Sequence, residues 1–243
     1  LYNAILKSIN VVDGDGSKDI SKGELPQLLT DALSVSFDTN IGHDFLEDTD
    51  ARYEFYHRKE ERVPFNLNIM NKITEGGIPN KALAIILGGT GSGKSLFMND
   101  WASKCIADGK NVLFISMELS EERIAERIDA NLMNIDATKL KSLSKQKYDK
   151  LVDTMKNKMT GKLVIKEYPT ASAHAGHFRH LLNELRIKKN FKPDIVFIDY
   201  LNICTSSRMS YSNGMTSYMI VKSIAEELRG LGIENDIPIV TAS

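Results

Sequence analysis

The stretch Gly88-Gly89-Thr90-Gly91-Ser92-Gly93-Lys94-Ser95 matches the pattern G-x-x-x-x-G-K-[ST] at every fixed position. An apolar run at residues 82–87 precedes it, and an amphipathic stretch begins at Leu96. This order of strand, glycine-rich loop and helix is the context in which the pattern holds the phosphates of a nucleotide. Glycines let backbone N–H groups converge without Cβ obstruction, and the helix start adds its free amides and its dipole. The stretch therefore predicts a nucleoside triphosphate site, whereas a chance match would lack the flanking strand and helix.

The residues of this P-loop have separate expected roles. Lys94 is expected to neutralise the β- and γ-phosphates of ATP, and the Ser95 hydroxyl to hold Mg²⁺. The predicted nucleotide contacts are Gly89, Thr90, Gly91, Ser92, Gly93, Lys94, Ser95 and Leu96.

Composition places the chain among ordinary soluble globular proteins. Its 243 residues are 42% hydrophobic and 26% charged, and its net charge is -1. Contacts with nucleic acid must therefore come from local patches, because the chain has no overall basic field. The longest apolar run, of about six residues, is too short to span a membrane, and no signal peptide is recognisable. Cys105 and Cys204 stand apart in apolar surroundings, which favours buried thiols in a reducing cytoplasm.

From residue 63 onward, strand and helix patterns alternate. The predicted strands are residues 82–87, 112–117, 163–168, 195–200 and 237–243, and the predicted helices between them include residues 96–108, 145–159 and 220–231. Such alternation predicts an α/β fold, a mainly parallel sheet with helices on both faces. Ligands of these folds bind at the carboxyl ends of the strands.

Two carboxylates stand at such strand ends. Asp199 closes the apolar run 195–198, as a Walker B acid does, and is expected to hold Mg²⁺ opposite Ser95. Glu118 ends the second strand, which we expect beside the P-loop, where Glu118 serves as general base or water-orienting group. The alternative for Glu118 is a solvated charge at a strand end.

Several separated segments together resemble the RecA-type ATPase domain of DnaB-like replicative helicases. Residues 127–131 and 225–229 resemble those of the T-even-type bacteriophage enzymes in particular, and the resemblance covers about residues 25–243. The segments that carry it are Val63-Pro64-Phe65, Leu67-Asn68, residues 73–77, the P-loop, residues 114–118 and residues 198–201.

The resemblance implies an ATP-driven DNA helicase motor, a ring hexamer that moves 5′–3′ on single-stranded DNA and unwinds duplex at the replication fork. It implies primase and a helicase loader as partners, Lys94 and Ser95 for nucleotide and metal, Asp199 as the Walker B acid and Glu118 as the catalytic carboxylate. It also implies that the loop after the fourth strand touches single-stranded DNA, although its composition equally suits an ordinary surface loop. The DNA contacts expected there are Arg208, Ser210, Asn213 and Gly214.

Two other functions stay open at this point. A RecA-type recombinase would coat DNA as a filament, and a non-motor NTP-binding switch would regulate a partner protein.

The expected domain organisation is a flexible linker at residues 1–24, a linker helix with its connecting segment at 25–62, and a RecA-like ATPase domain at 63–243. Residues 13–24 nearly match a calcium-binding EF-hand loop, but Lys18 stands where the sharp turn needs Gly, so a polar linker is favoured. The apolar stripe of residues 25–37 suits a helix that folds onto its own core or docks on a neighbouring subunit; the resemblance favours docking.

The ends of the chain depart from the family pattern. It begins at Leu1 and lacks the family's primase-binding N-terminal domain, which suggests a fragment. It stops at Ser243, where the family continues into a γ-phosphate-sensing residue and the in-trans arginine finger. We therefore expect this chain to bind ATP and hydrolyse it poorly.

Two further patterns are given their simpler interpretation. His174, His177 and His180 are spaced by three without a completing Cys or carboxylate, which favours histidines at a helix start over a metal site. Residues 139–162 are rich in lysine, which favours a solvated face over a nucleic-acid site.

Overall fold

The computed structural model describes Ile5, Ser8, Ile9 and residues 44–58, 60–209 and 216–243. The calcium-like segment 13–24, the helix predicted at 25–37 and the loop residues Ser210, Asn213 and Gly214 lie outside these described residues. The chain divides into two compact units, residues 1–59 and 60–243. In the first unit, helix α1 covers Thr49–His57. Our division at residues 24 and 62 stays a prediction.

The second unit is built on five parallel strands. They are β3 Leu83–Ile86, β4 Val112–Ser116, β5 Leu163–Glu167, β6 Ile195–Asp199 and β7 Ile239–Ala242. Their order in the sheet is β3-β7-β6-β4-β5, and every neighbouring pair is parallel. The predicted strands are confirmed to within two residues at each end, and the predicted parallel sheet is confirmed.

Helices cover both faces of this sheet. They are α2 Asn68–Ile73, α3 Lys94–Ala107, α4 Glu121–Leu132, α5 Ala137–Leu140, α6 Lys145–Lys158, α7 Ala175–Lys189 and α8 Ser217–Asn235, with a 3-10 turn at Leu201–Ile203. A small antiparallel pair, β1 Arg62–Val63 and β2 Ile78–Pro79, stands before the main sheet. We did not predict this pair. Every helix in the described ranges is too short or too polar to cross a lipid bilayer.

The apolar sequences of β4, β6 and β7 are explained by burial on both faces. In β6, Val196 and Ile198 belong to a core shared with α7 and α8, whereas Ile195 and Phe197 belong to a core shared with α3 and α4. Successive side chains of a strand point to opposite faces, so a strand covered on both sides reads as a continuous apolar run. Trp101 of α3 meets the Phe197 ring edge-on at 5.5 Å and donates from Nε1 to Pro64 O at 2.7 Å.

Both cysteines lie in these cores, as expected. Cys105 and Cys204 are free and buried, and burial raises the pKa of each thiol to about 12. A thiol with such a pKa stays protonated at neutral pH and is a poor nucleophile.

Candidate nucleotide-binding site

The P-loop leads from the end of β3 into α3. Gly91 and Gly93 have φ values of 75° and 92°, the left-handed conformation that side chains with a Cβ rarely adopt. Gly93 is the N-cap residue of α3, and no side chain caps this helix, so its first amides depend on other partners. The start of the loop is held by β7, because Gly88 N donates to Ser243 O at 3.2 Å and Ser243 N donates to Ile86 O at 2.9 Å. The loop thus offers free helix amides at the carboxyl edge of the sheet, where an anion is best received.

The Lys94 ammonium lies over the curve of this loop. Its Nζ donates to Gly88 O at 2.7 Å and to Gly89 O at 3.1 Å. These two carbonyls hold the Lys94 ammonium at the opening of the loop, where it would contact the phosphates of a bound nucleotide.

Asp199 lies at the carboxyl end of β6 with only 1% of its surface exposed. Burial raises the pKa of this carboxyl above its usual value, and the negative charge of Glu118 raises it further. The Ser95 hydroxyl beside it lowers the pKa, and the cations Arg127 and Lys94 lower it too. The structure therefore brings the predicted residues Lys94, Ser95, Glu118 and Asp199 to one place.

The oxygens of Asp199 fit a bound Mg²⁺. Ser95 is close enough to affect the carboxyl pKa, yet neither Asp199 oxygen has a donor in hydrogen-bond geometry among the described residues. A buried carboxylate without a partner is costly, so each such group calls for an explanation. Carboxylate and hydroxyl oxygens are the ligands that Mg²⁺ prefers, in combination with phosphate and water oxygens. Within the described part of the chain, no cluster of three or more His, Cys, Asp or Glu side chains could hold a metal ion by itself.

Glu118 lies exposed in the turn that follows β4. The Ser116 hydroxyl accepts from Leu119 N at 2.9 Å, and Met117 N donates to Asp199 O at 3.0 Å, which together fix this turn against β6. Our expectation that β4 is a direct neighbour of the strand that enters the P-loop was wrong, because β7 and β6 stand between β3 and β4. Strand order is set by the crossover connections, which the alternation of strands and helices does not specify. The result is that Glu118 neighbours Asp199 directly.

Sequence reasoning missed Arg127 as a member of this site. The residue lies in α4, whose N-terminus is capped by the Ser120 side chain accepting from Arg123 N at 3.4 Å. Its positive charge is near enough to lower the pKa of Asp199. In the sequence, Arg127 is noticeable only as part of residues 127–131, which carry the family resemblance. Nothing in its local spacing predicts that it lies near Asp199.

Arg208 is the DNA-contact candidate that lies among the described residues. It follows β6 and the Leu201–Ile203 turn, and its side chain is exposed. Among the described residues its guanidinium pairs with no carboxylate, so its charge is available to a ligand.

Two of the three histidines at residues 174–180, His174 and His177, cap the start of α7. His174 Nδ1 accepts from Gly176 N at 3.0 Å, and His177 Nδ1 accepts from His174 N at 3.2 Å. The two rings thus form a reciprocal capping arrangement, which agrees with the simpler interpretation of this pattern.

Comparison with known proteins gives matches along most of the chain. The family described as DnaB-like helicase C terminal domain matches residues 63–243. A DnaB-like replicative helicase of Enterobacteria phage T4 is 44% identical over 225 residues, which are 91% of this chain and 47% of that protein. A probable plasmid replicative DNA helicase of Chlamydia trachomatis is 31% identical over 156 residues, 62% of this chain and 32% of that protein. The chain therefore spans about half the length of the phage relative and about a third of the chlamydial one.

Two solved structures have the same fold. One, described as a DnaB-like replicative helicase and its interactions with primase, aligns with a TM-score of 0.68 and 16% identity, over 100% of this chain and 56% of that one. The other, described as an ATPase domain, aligns with a TM-score of 0.64 and 18% identity, over 82% of this chain and 72% of that one. The core of this chain is therefore a RecA-like fold.

Proposed function

This chain belongs to the DnaB-like helicase family, and we propose that it is the ATP-driven motor of a replicative DNA helicase. In this proposal it acts as a ring hexamer that moves 5′–3′ along single-stranded DNA and unwinds duplex at the replication fork. The observation that carries the proposal is the buried Asp199 carboxylate beside Ser95 and the P-loop, whose oxygens have no hydrogen-bond donor in the part of the chain that the structure describes. We further propose that residues 63–243 are the ATPase domain, with residues 25–62 as linker helix and connection and residues 1–24 as flexible linker.

We assign nucleotide binding to residues 89–96. The free amides of the first turn of α3 receive the phosphates, and the Lys94 ammonium neutralises their charge. Ser95 and Asp199 are the side chains that would hold Mg²⁺. When bound, the ion supplies neutralisation of the charge that develops on the β- and γ-phosphates.

We assign Glu118 to the water that attacks the γ-phosphate. Its carboxylate is exposed at the rim of the site and neighbours Asp199, so a water held there can lose its proton to Glu118. Arg127 offsets part of the negative charge that the two carboxylates bring together. The arginine finger that such motors receive from the neighbouring subunit completes the site in this proposal.

We propose single-stranded DNA as the polymer substrate and Arg208 as a phosphate contact, with Ser210, Asn213 and Gly214 as further contacts. An exposed guanidinium that pairs with no carboxylate of the described residues suits binding to the sugar-phosphate backbone, which carries no sequence information. Primase and a helicase loader are the proposed protein partners, and the cytoplasm of a bacterial host is the proposed place of action.

Unwinding of a forked duplex by the full-length purified protein tests this proposal. We expect ATP-dependent strand separation that Lys94→Ala abolishes. Lys104→Ala, also in α3 but outside the P-loop, is the matched control and should unwind normally. A wild-type protein that hydrolyses ATP with single-stranded DNA yet leaves every fork annealed would contradict the helicase function, and open filaments without rings in electron micrographs would favour a recombinase.

A further inference from the structure

A carboxylate outside the nucleotide site is buried and is held by hydrogen bonds from two serines, while the charges of Arg179 and His174 act on it from farther away. Glu227, in the middle of α8, has only 6% of its surface exposed. Among the described residues it forms no ion pair with Lys, Arg or His. A buried charge is retained only where donors compensate it, so the surroundings of Glu227 identify what it is for.

The hydrogen-bond donors to Glu227 come from two places. Ser206 and Ser207 belong to the loop after β6 in which the DNA contacts are expected, and Ser223 belongs to α8 itself. Ser206 Oγ donates to Glu227 Oε1 at 2.5 Å, and Ser207 Oγ donates to Oε2 at 2.7 Å. Ser207 N donates to both oxygens, at 3.1 and 3.0 Å. Ser223, one turn earlier in α8, adds a longer contact at 3.4 Å. Burial raises the pKa of Glu227, but these hydrogen bonds outweigh it and the net pKa lies below its ordinary value. Glu227 is therefore an anion bound by serines.

Ser206 transmits this anchor to the next two residues. While its hydroxyl donates to Glu227, its oxygen accepts from Arg208 N at 3.1 Å and from Met209 N at 3.0 Å. Three consecutive backbone amides, of Ser207, Arg208 and Met209, are thus held by Glu227 directly or through Ser206. The backbone of residues 206–209, which we call the stem of the loop, is therefore fixed, while the Arg208 side chain is exposed to solvent.

Helix α8, which carries Glu227, is itself packed against the central parallel sheet. α8 packs against β3, the strand that enters the P-loop, and against β7. The stem of the loop is therefore tied to the same framework as the nucleotide site. An arginine on a fixed backbone loses less conformational freedom on binding than one on a free loop.

We propose that Glu227 is a positioning residue for Arg208, holding residues 206–209 on α8 so that the guanidinium is presented to a phosphate of single-stranded DNA. This inference rests on the proposed helicase function. It assigns to Glu227 no contact with DNA or nucleotide.

Single-stranded DNA binding by full-length variants tests the inference. The probe is a labelled oligothymidylate, and the readouts are its dissociation constant, the DNA concentration that half-stimulates ATPase, and kcat at saturating DNA. Glu227→Gln keeps the size of the side chain but places a neutral amide against four donors, Ser206 Oγ, Ser207 N, Ser207 Oγ and Ser223 Oγ. We expect both the dissociation constant and the half-stimulating concentration to rise about ten-fold, a loss in the range of charged hydrogen bonds. The kcat at saturating DNA should stay within about two-fold, because only ground-state DNA binding is weakened.

Matched variants separate positioning from a general structural role. Glu226→Gln, on the same helix but exposed, should bind DNA as wild type does. In a double-mutant cycle, Glu227→Gln should add little to the defect of Arg208→Ala, because the two residues act as one unit. Defects that multiply would overturn the inference, since Glu227 would then act apart from Arg208.

A second variant covers the case in which Glu227→Gln fails to fold. Ser206→Ala removes the link to Arg208 N and Met209 N and leaves the buried anion with its Ser207 donors. It should weaken DNA binding and speed hydrogen exchange at these two amides; wild-type affinity in this variant would overturn the inference. Failure of the helicase proposal is seen separately, as a wild-type protein that does not bind or respond to single-stranded DNA.

Discussion

At the scale of single residues, the site depends on a charge that the fold buries at a cost. Asp199 has two oxygens without donors among the described residues, and burial raises its pKa. Such a group lowers the stability of the folded protein unless a ligand compensates it. Function and stability should therefore respond in opposite directions when this carboxylate is neutralised.

Asp199→Asn should raise the melting temperature of the nucleotide-free protein in EDTA by about 2 °C or more, because it removes a buried charge whose oxygens have no donor among the described residues. The same change should reduce ATP hydrolysis by roughly two orders of magnitude or more. Differential scanning calorimetry and a phosphate-release assay measure the two effects.

Asp194→Asn is the matched control for this carboxylate. Asp194 Oδ2 accepts from Asn111 N at 2.6 Å, so its substitution should lower the melting temperature instead. An Asp199→Asn protein that melts below wild type in EDTA would contradict the conclusion that the buried charge of Asp199 lowers the stability of the nucleotide-free protein.

Glu118→Gln should separate binding from hydrolysis. The change leaves the P-loop and Asp199 in place, so we expect ATP affinity within about two-fold of wild type and a kcat lower by roughly 10²–10⁴. Equilibrium binding of a fluorescent ATP analogue and steady-state hydrolysis check this. Glu122→Gln, an exposed residue in the first turn of α4, is the control; equal losses in both variants would remove Glu118 from its proposed role.

At the scale of elements, the start of α7 depends on a neutral histidine. His174 Nδ1 accepts from Gly176 N, and a protonated ring cannot accept this bond. Burial is the largest cause that lowers the pKa of His174 from 6.5, followed by His177; Glu227 raises it and Arg179 lowers it slightly. A pKa below the unfolded value means that the unfolded chain takes up the proton first. The stabilising effect of the cap is therefore complete above pH 6.5 and is lost as pH falls through the folded-state pKa.

His174→Asn should reduce this pH dependence, because asparagine caps a helix without titrating in this range. Chemical denaturation between pH 5 and 8 should show the wild-type free energy of unfolding falling faster below pH 6.5 than that of the variant, by about 1 kcal/mol at pH 5. His180→Asn, exposed on the same helix, should follow wild type. Parallel curves for wild type and His174→Asn would refute the role of the His174 cap.

Comparison of the predicted and observed secondary-structure elements shows which parts of this fold the sequence predicts. The buried strands were found to within two residues, because continuous apolar runs bounded by polar turns are a strong signal. The pair β1–β2 was missed, because strands of two residues contain no periodicity. Strand order was missed as well, and with it the neighbour of Glu118. Tertiary packing alone brings the charge of Arg127 near Asp199 and the carboxylate of Glu227 to its serine donors, so local spacing predicts neither.

At the scale of the whole molecule, a net charge of -1 limits how single-stranded DNA, the proposed substrate, can be held. Without an overall basic field, affinity must come from a few local cations, and each phosphate contact releases counterions. For single strands, the slope of log affinity against log salt is about 0.7 for each phosphate neutralised.

Arg208→Ala should therefore reduce the steepness of this salt dependence by about 0.7 for every subunit whose Arg208 contacts DNA. Dissociation constants of oligothymidylate, measured between about 50 and about 300 mM salt, give the slope. Lys147→Ala, an exposed cation in the lysine-rich stretch 139–162, should leave the slope unchanged. A larger change in this slope for Lys147→Ala than for Arg208→Ala would indicate that DNA binds to the lysine-rich stretch 139–162 instead.

The position of β7 in the sheet has a consequence for the dimensions of the cleft. β7 lies between the strand that enters the P-loop and the strand that ends at Asp199, and Thr241 Oγ1 of β7 donates to Ile198 O at 2.8 Å. Two strand spacings put the ends of β3 and β6 about 10 Å apart. β7 thus sets the distance between the ends of β3 and β6, and this distance determines the width of the cleft that must hold a phosphate chain and its counter-ion. A substitution that shifts β7 would change that width, and with it catalysis, while leaving every residue that touches the nucleotide intact.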